Sequence, residues 1–483
     1  MAQINMVRDY YLWCMSVVYL FAFGSLYNQV PGLYGKNGIL PAHLVLKQDG
    51  KSVEEAFVDR PTLLWFMPRL GLDVEHAIDM ICILGILISF ICMLVKIFRD
   101  TINFALLWFL YFSVYQVGQT FLWFQWDILL LEVGFLTILV APLNLLKWKD
   151  VRHYEHDAIT MWLLKWMLFR LMFASGIVKL TSQCETWWGL TALTYHYETQ
   201  CIPTPLAWYA HHLPVWFQKL SVVFTYVIEI ALPFLFFSPI RTMRIFAGLS
   251  QVFLMLLILL TGNYNFFNLL TAVLCLSTLD DNFFQKKKES RNNHSTFQII
   301  LQVEYDFMYK PGNVSIAPPI VAPHQPRLDW QMWFAALGDF RHNPWFIHMV
   351  YRLLKNEPDV IALIEKNPYP DQPPRYIRAQ LYHYYFTSWN ERTSSKWWRR
   401  KWVKEYMPTF TLQDESLMNY LKKNGIVQTP TKKKKTKVPN FLKQSVITIR
   451  DNIGHLDGFN FLAALFVSGF VINIMGYIRR RQK

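Results

Sequence analysis

The feature that most restricts this chain is a succession of apolar blocks of membrane-spanning length that fills more than a third of it. A helix rising 1.5 Å per residue needs about twenty residues to cross a bilayer core, and only helices or closed barrels satisfy every backbone group there. Unbroken runs of this length predict helices at 10–28, 77–98, 102–119, 121–142, 160–180, 219–238 and 243–261, with a shorter run at 264–279 and a last one at 459–478. Composition agrees: 53% of the 483 residues are hydrophobic and 17% are aromatic. The expected fold is mainly α. A polytopic helical membrane domain covers 1–285, a smaller mixed α/β polar domain 286–430, a basic linker 431–457, and a C-terminal membrane anchor with a basic tail 458–483.

The net charge of +14 is not the footprint of a nucleic-acid binder. It lies in short clusters beside apolar runs and in Lys286–Lys288 and Lys432–Lys435, as the positive-inside bias produces. Lys96 with Arg99, Lys147 with Lys149 and Arg152, and Arg241 with Arg244 all fall in connections on one side if every run crosses. That side is expected to be cytosolic, with the N-terminus, and the loops 29–76 and 182–218 lumenal. The run opening at Tyr10 has no small-residue cleavage site after it and reads as a first span.

Charged residues inside spans are costly and need partners. Asp127 and Glu132 are five residues apart, about 140° around a helix, so they do not form one acid–base pair. Each is expected to form an intramembrane ion pair with a cation on a neighbouring helix, Arg170 or Lys179. Glu229 is a further buried acid of this kind. The helix carrying Arg170 and Lys179 opens into an aromatic loop, Cys184-Glu-Thr-Trp-Trp-Gly189 to Tyr195-His-Tyr-Glu-Thr-Gln-Cys201. Cys14, Cys82, Cys92 and Cys275 lie within apolar runs as small buried residues, whereas Cys184 and Cys201 are the pair in a polar loop and either bond or stay free.

Beyond Lys286 the chain turns polar. One or two strands are expected over 297–309, and helical patterning returns at 344–366 and 414–424. Seven tryptophans between Trp330 and Trp402 give this domain the bulk for a core, and Trp397-Trp-Arg-Arg-Lys-Trp402 reads as a solvated, aromatic-anchored surface. Asn293 and Asn313 head N-glycosylation tripeptides, and the Arg479–Lys483 tail resembles a retrieval signal of the early secretory pathway. No Walker loop, dinucleotide fingerprint, zinc-spaced Cys/His set or nucleophile elbow is present, and adjacent His211 and His212 make a poor chelate. No cofactor or metal is therefore expected.

Several long runs resemble the lipase maturation factor family. They include Phe124-Gln-Trp-Asp127, Phe169-Arg-Leu-Met-Phe-Ala-Ser-Gly-Ile-Val-Lys-Leu180, Trp187-Trp-Gly189, His196-Tyr-Glu-Thr-Gln200 and Gly262-Asn-Tyr-Asn-Phe-Phe-Asn268. In the polar domain they include Met308-Tyr-Lys-Pro-Gly-Asn313 and Pro323-His-Gln-Pro-Arg-Leu-Asp-Trp330. The resemblance implies a non-enzymatic, multi-pass protein of the endoplasmic-reticulum membrane. Its clients would be secreted lipases such as lipoprotein lipase, and a loop bearing Trp187, Trp188, Tyr195, His196 and Tyr197 would contact them. It also implies a lumenal second domain. The chain departs from the longer family pattern by a shortening after about residue 285. Eight crossings would leave residue 286 cytosolic, so the short 264–279 run is expected not to cross. A second likeness, of Ser175-Gly-Ile-Val-Lys179 followed by Trp188-Gly189 to the vitamin-K-dependent carboxylase membrane domain, implies the alternative. On that reading the protein is an integral-membrane enzyme for a lipid or quinone-like substrate, with Lys179 and His196 in its pocket.

Overall fold

The computed structural model describes residues 5–46, 52–143, 156–281, 283, 305–427, 441–454 and 456–481. α1 (Asn5–Tyr34) is apolar on all sides, and such a helix belongs at the centre of a bundle. Indeed 83% of its most apolar stretch is buried. It starts on the face that carries Lys96 and Arg241, here the basic face, and ends on the opposite, loop face. The following loop holds α2 (Val53–Asp59), started by a Ser52/Glu55 capping box. α3 (Val74–Leu94) returns alongside α1, and a Cβ on Gly85 would lie 2.5 Å from the Phe23 ring, so glycine sets how closely the two helices approach.

α4 (Thr101–Tyr115) is capped by Asp100, whose carboxylate accepts from Asn103 N at 2.9 Å. The single span expected over 121–142 is two helices, α5 (Gln119–Leu122) and α6 (Gln125–Val140), separated at Trp123. α7 (Asp157–Thr181) crosses back to the loop face. There α8 (Glu185–Trp188), α9 (Ala192–Thr199) and α10 (Pro205–His211) form a plinth. α11 (Val215–Tyr226) descends through a π-helical turn, Val227–Ala231, and a 3₁₀ segment, Leu232–Phe237. α12 (Arg241–Thr261) rises and α13 (Phe267–Cys275), extended by a 3₁₀ turn to Thr278, goes down. Ion pairs close the basic face: Arg8 with Asp157 at 2.7 Å and Arg241 with Asp280 at 2.5 Å, while Val7 N donates to Asp281 at 2.9 Å.

The 264–279 run therefore corrects the sequence expectation. Tyr264 lies beside His196 and Trp330 at the loop face, while Asp280 and Asp281 meet Arg241 and Val7 at the basic face, so the run does pass from one to the other. It can be short because α13 is enclosed by α1, α7 and α12 rather than by lipid. Residues 281 and 305 consequently lie on opposite faces. Of the nine runs read from the sequence, six correspond to helices long and apolar enough to span a membrane among the described residues, and 101–115 and 267–278 are shorter apolar helices.

The second domain sits on the loop face. β1 (Asp306–Phe307) precedes α14 (Arg327–Ala336), α15 (Pro344–Leu354) and α16 (Pro358–Ile361), and pairs antiparallel with β2 (Ile364–Lys366). The helix expected over 344–366 thus ends at Leu354, where Asn356 at φ 52° turns the chain and Pro358 restarts it. Residues 297–304 of the expected strands lie outside the described residues. β3 (Ile377–Phe386) and β4 (Trp398–Phe410) form a long antiparallel ribbon with Tyr382 opposite Trp402. α17 (Glu415–Lys423) closes the domain. α18 (Phe441–Ile453) lies along α3, where Arg450 pairs with Asp79 and its guanidinium stacks 3.8 Å over the Tyr27 ring. α19 (Gly458–Arg481) then returns towards the basic face between α1 and α3, with Asn473 Nδ2 donating to Met93 O at 3.2 Å.

Candidate functional site

The loop face, where the plinth meets the second domain, concentrates the unusual residues. At its base Lys179, at the end of α7, donates to Glu229 Oε2 at 2.5 Å and to Ser175 O and Oγ at 3.1 and 3.0 Å. Glu229 sits in the π-helical turn, whose extra residue per turn aims the carboxylate at α7. Trp187 covers the ammonium, 5.3 Å from ring centroid to Nζ, and its carbonyl accepts from Tyr226 OH at 3.2 Å. Lys179 therefore partners Glu229, not Asp127 or Glu132.

Arg170 is at ion-pair distance from Glu132 on α6. Asp127 has a partner that sequence reasoning missed, Arg327 at the start of α14. Both side chains are fully buried, and two nitrogens of the guanidinium each lie 3.0 Å from a carboxylate oxygen. Tyr111 OH also donates to Asp127 at 2.5 Å, and Arg327 Nη1 to Phe121 O at 2.5 Å. The acid read as an intramembrane pair is the socket for a cation of the other domain. That cation, Arg327, stands inside the Pro323–Trp330 run.

Around this latch the contacts are polar and specific. Ser25 and Gln29 of α1 bind the backbone of Gln325 and Arg327, with Gln29 Oε1 accepting from Arg327 N at 2.9 Å. Asn263 Oδ1 accepts from Val321 N and Ala322 N at 3.0 and 3.1 Å, anchoring the proline-rich segment. Trp208 of α10 stacks on Trp389 and donates to Thr387 Oγ1 at 3.1 Å, while Glu198 accepts from Phe386 N. Trp208, Phe386 and Trp398 thus form a small second core that seats the ribbon.

Of the five residues of the expected contact loop, Trp188 and Tyr195 are exposed, at 64% and 55%. Trp187 and Tyr197 are half-buried against Lys179 and the second core, and His196 Nε2 faces Tyr264 OH at 3.5 Å. Burial lowers the affinity of His196 for a proton, and the nearby Lys179 lowers it further.

Cys184 and Cys201 are both free thiols in this structure. Cys201 is buried with its thiol directed at Asp329 O, whereas Cys184 stands at the mouth of the loop beside Thr186 Oγ1 at 3.1 Å. The Thr186 hydroxyl and nearby backbone N–H groups hold the Cys184 thiol below its ordinary pKa, and burial pushes Cys201 well above it. Maleimide added to intact protein should label Cys184 at least tenfold faster than Cys201, and Cys201 only after denaturation. Mass spectrometry of the labelled peptides measures both rates. Asn313 lies in a loop, its Oδ1 accepting from Ser315 N at 3.0 Å. Asn293 falls outside the described residues.

Three histidines of this assembly, His211, His324 and His348, are held by burial at pKa about 4. Once unfolded they bind protons near pH 6.5, so the folded state loses stability as pH falls from about 6.5 towards 4. Asp329, raised by burial to about 6, and Glu198 and Glu365, also raised by burial, act in the opposite sense at lower pH, whereas buried His196 adds to the three histidines. Tryptophan-detected melting should therefore drop by several degrees between pH 7.4 and pH 5.

Two family profiles together cover most of the chain, up to residue 408. The lipase maturation factor transmembrane domain matches residues 6–286, and the lipase maturation factor C-terminal domain matches 289–408. The chain belongs to the lipase maturation factor family. Lipase maturation factor 2 of Xenopus tropicalis is 40% identical over 615 aligned positions, covering 91% of this chain and 87% of the relative. The Gallus gallus protein of that name is 41% identical over 594 positions, with 87% and 83% covered. Human lipase maturation factor 1 is 28% identical, with 87% and 90% covered. The first alignment is longer than the 483 residues of this chain, so that family relative carries internal sequence absent here. No solved structure matches.

Proposed function

We infer that this member of the lipase maturation factor family is a maturation factor of the endoplasmic-reticulum membrane that assists the folding, assembly and export of secreted lipases. The observation that carries the reading is the family match across both domains, joined here by a fully buried latch. Around that latch the loop face presents exposed aromatic surface at Trp188, Tyr195, Tyr209 and Trp389. Such surface can cover the apolar patches of a partly folded client, which would otherwise associate without specificity. We read the role as non-enzymatic, which is supported by Lys179, a pocket residue of the enzymatic alternative, being paired with Glu229 and roofed by Trp187. Asn313, and with it Asn293, would be lumenal glycan acceptors, read from the mobility shift after endoglycosidase treatment.

The test is rescue of cells that lack the family, with secreted lipase activity and lipase mass scored separately. Raised activity per unit of lipase supports the inference and shows that the sequence absent from this chain is dispensable. Correct insertion with no gain in activity sinks it.

A further inference from the structure

Arg170 and Glu132 form an ion pair in an unusual place. Arg170 is thirteen residues into the 25-residue α7, about 20 Å from its start and 17 Å from its end, which is the middle of a bilayer. Glu132 is likewise midway along α6. Yet their side chains are 54% and 43% exposed on the outside of the molecule, whereas the Asp127–Arg327 pair is fully enclosed.

The pair is also incomplete. Arg170 gives Nη2 to Glu132 Oε2 and to Met167 Sδ. Among the described residues, its Nε and Nη1 donors and the Glu132 Oε1 acceptor have no hydrogen-bond partner. Acyl chains offer neither donors nor acceptors, so charges facing them cost several kcal/mol. The surrounding surface is apolar and continuous along both helices, with Ile128, Phe135 and Leu139 of α6 and Trp166 and Val178 of α7 all exposed.

What covers this face must supply an acceptor to the spare guanidinium donors and a donor to the spare carboxylate oxygen, side by side, at mid-membrane depth. A second copy of the same face does so. A neighbouring cation and anion are self-complementary about a two-fold axis, because rotation places each against its opposite. We propose that the α6–α7 face is a self-association surface, through which two copies of this chain pair within the membrane by joining their Arg170–Glu132 pairs into a four-charge ring.

The test uses the full chain carrying donor or acceptor fluorophores at its C-terminus, reconstituted in phosphatidylcholine vesicles over a range of lipid dilutions. Energy transfer should exceed that of a monomeric membrane-protein control. The double variant Arg170→Leu/Glu132→Leu leaves no uncompensated charge and should keep its melting temperature. It should lose transfer at a lipid dilution at least tenfold lower. The charge swap Arg170→Glu/Glu132→Arg preserves the ring and should restore transfer to within twofold. Transfer no greater than the control overturns the proposal. So does transfer unaltered in the leucine variant, which would make the pair an internal brace, or a folded swap variant that fails to associate.

Discussion

Replacing Arg327 with methionine should release the second domain from the membrane domain. The substitution leaves Asp127 buried without its cation, at a cost of about 3–5 kcal/mol. That is comparable to much of the stability of an ordinary domain. Limited proteolysis of the solubilised protein should show new cuts in the 305–327 segment, and rescue of lipase activity should fail. The compensating variant Arg327→Met/Asp127→Leu removes both charges and should recover most of the lost stability, because a buried pair replaced by apolar side chains of similar size is often nearly neutral. If the double variant docks but does not rescue, the latch residues do more than hold the domains together.

The second large effect is expected at Lys179. Lys179→Met strands Glu229, which is 4% exposed within the π-helical turn, and should lower the melting temperature by several degrees through loss of packing between α7 and that turn. Adding Glu229→Gln should return the melting temperature and, on the maturation-factor reading, the lipase activity as well. An enzyme that used the Lys179 amine would fold again in the double variant yet stay inactive. Melting and activity scored on the same preparations separate the two.

The membrane core was legible because hydrophobic runs of spanning length have few alternatives. α1, α3, α7, α12 and α19 all fall where the apolar blocks predicted them. Local rules failed where tertiary contacts take over. The 264–279 run, the shortest, was the segment expected not to cross so that the second domain would be lumenal, whereas α13 does cross, enclosed by protein. β4 gave no alternating pattern because residues 401–405 of the ribbon are exposed on both faces. The ion-pair partners were sought on neighbouring helices, which located Arg170 beside Glu132 but missed Arg327 and Arg450, contributed from beyond the first domain. Of the aromatic loop, the sequence showed which residues were present. It could not show that Trp187 is a lid on a lysine and Trp188 an exposed surface.

The latch also imposes a clock on biosynthesis. Asp127 and Arg327 are 200 residues apart, and Asp79 and Arg450 are 371 apart. At about 5–20 residues per second, the ribosome adds Arg327 some 10–40 s after it has added Asp127. Through that interval the nascent protein holds an open acidic socket at its loop face. In family relatives whose alignment runs to 615 positions, any extra sequence between the two residues lengthens the wait. A factor that helps other proteins to mature thus passes through a prolonged immature state of its own.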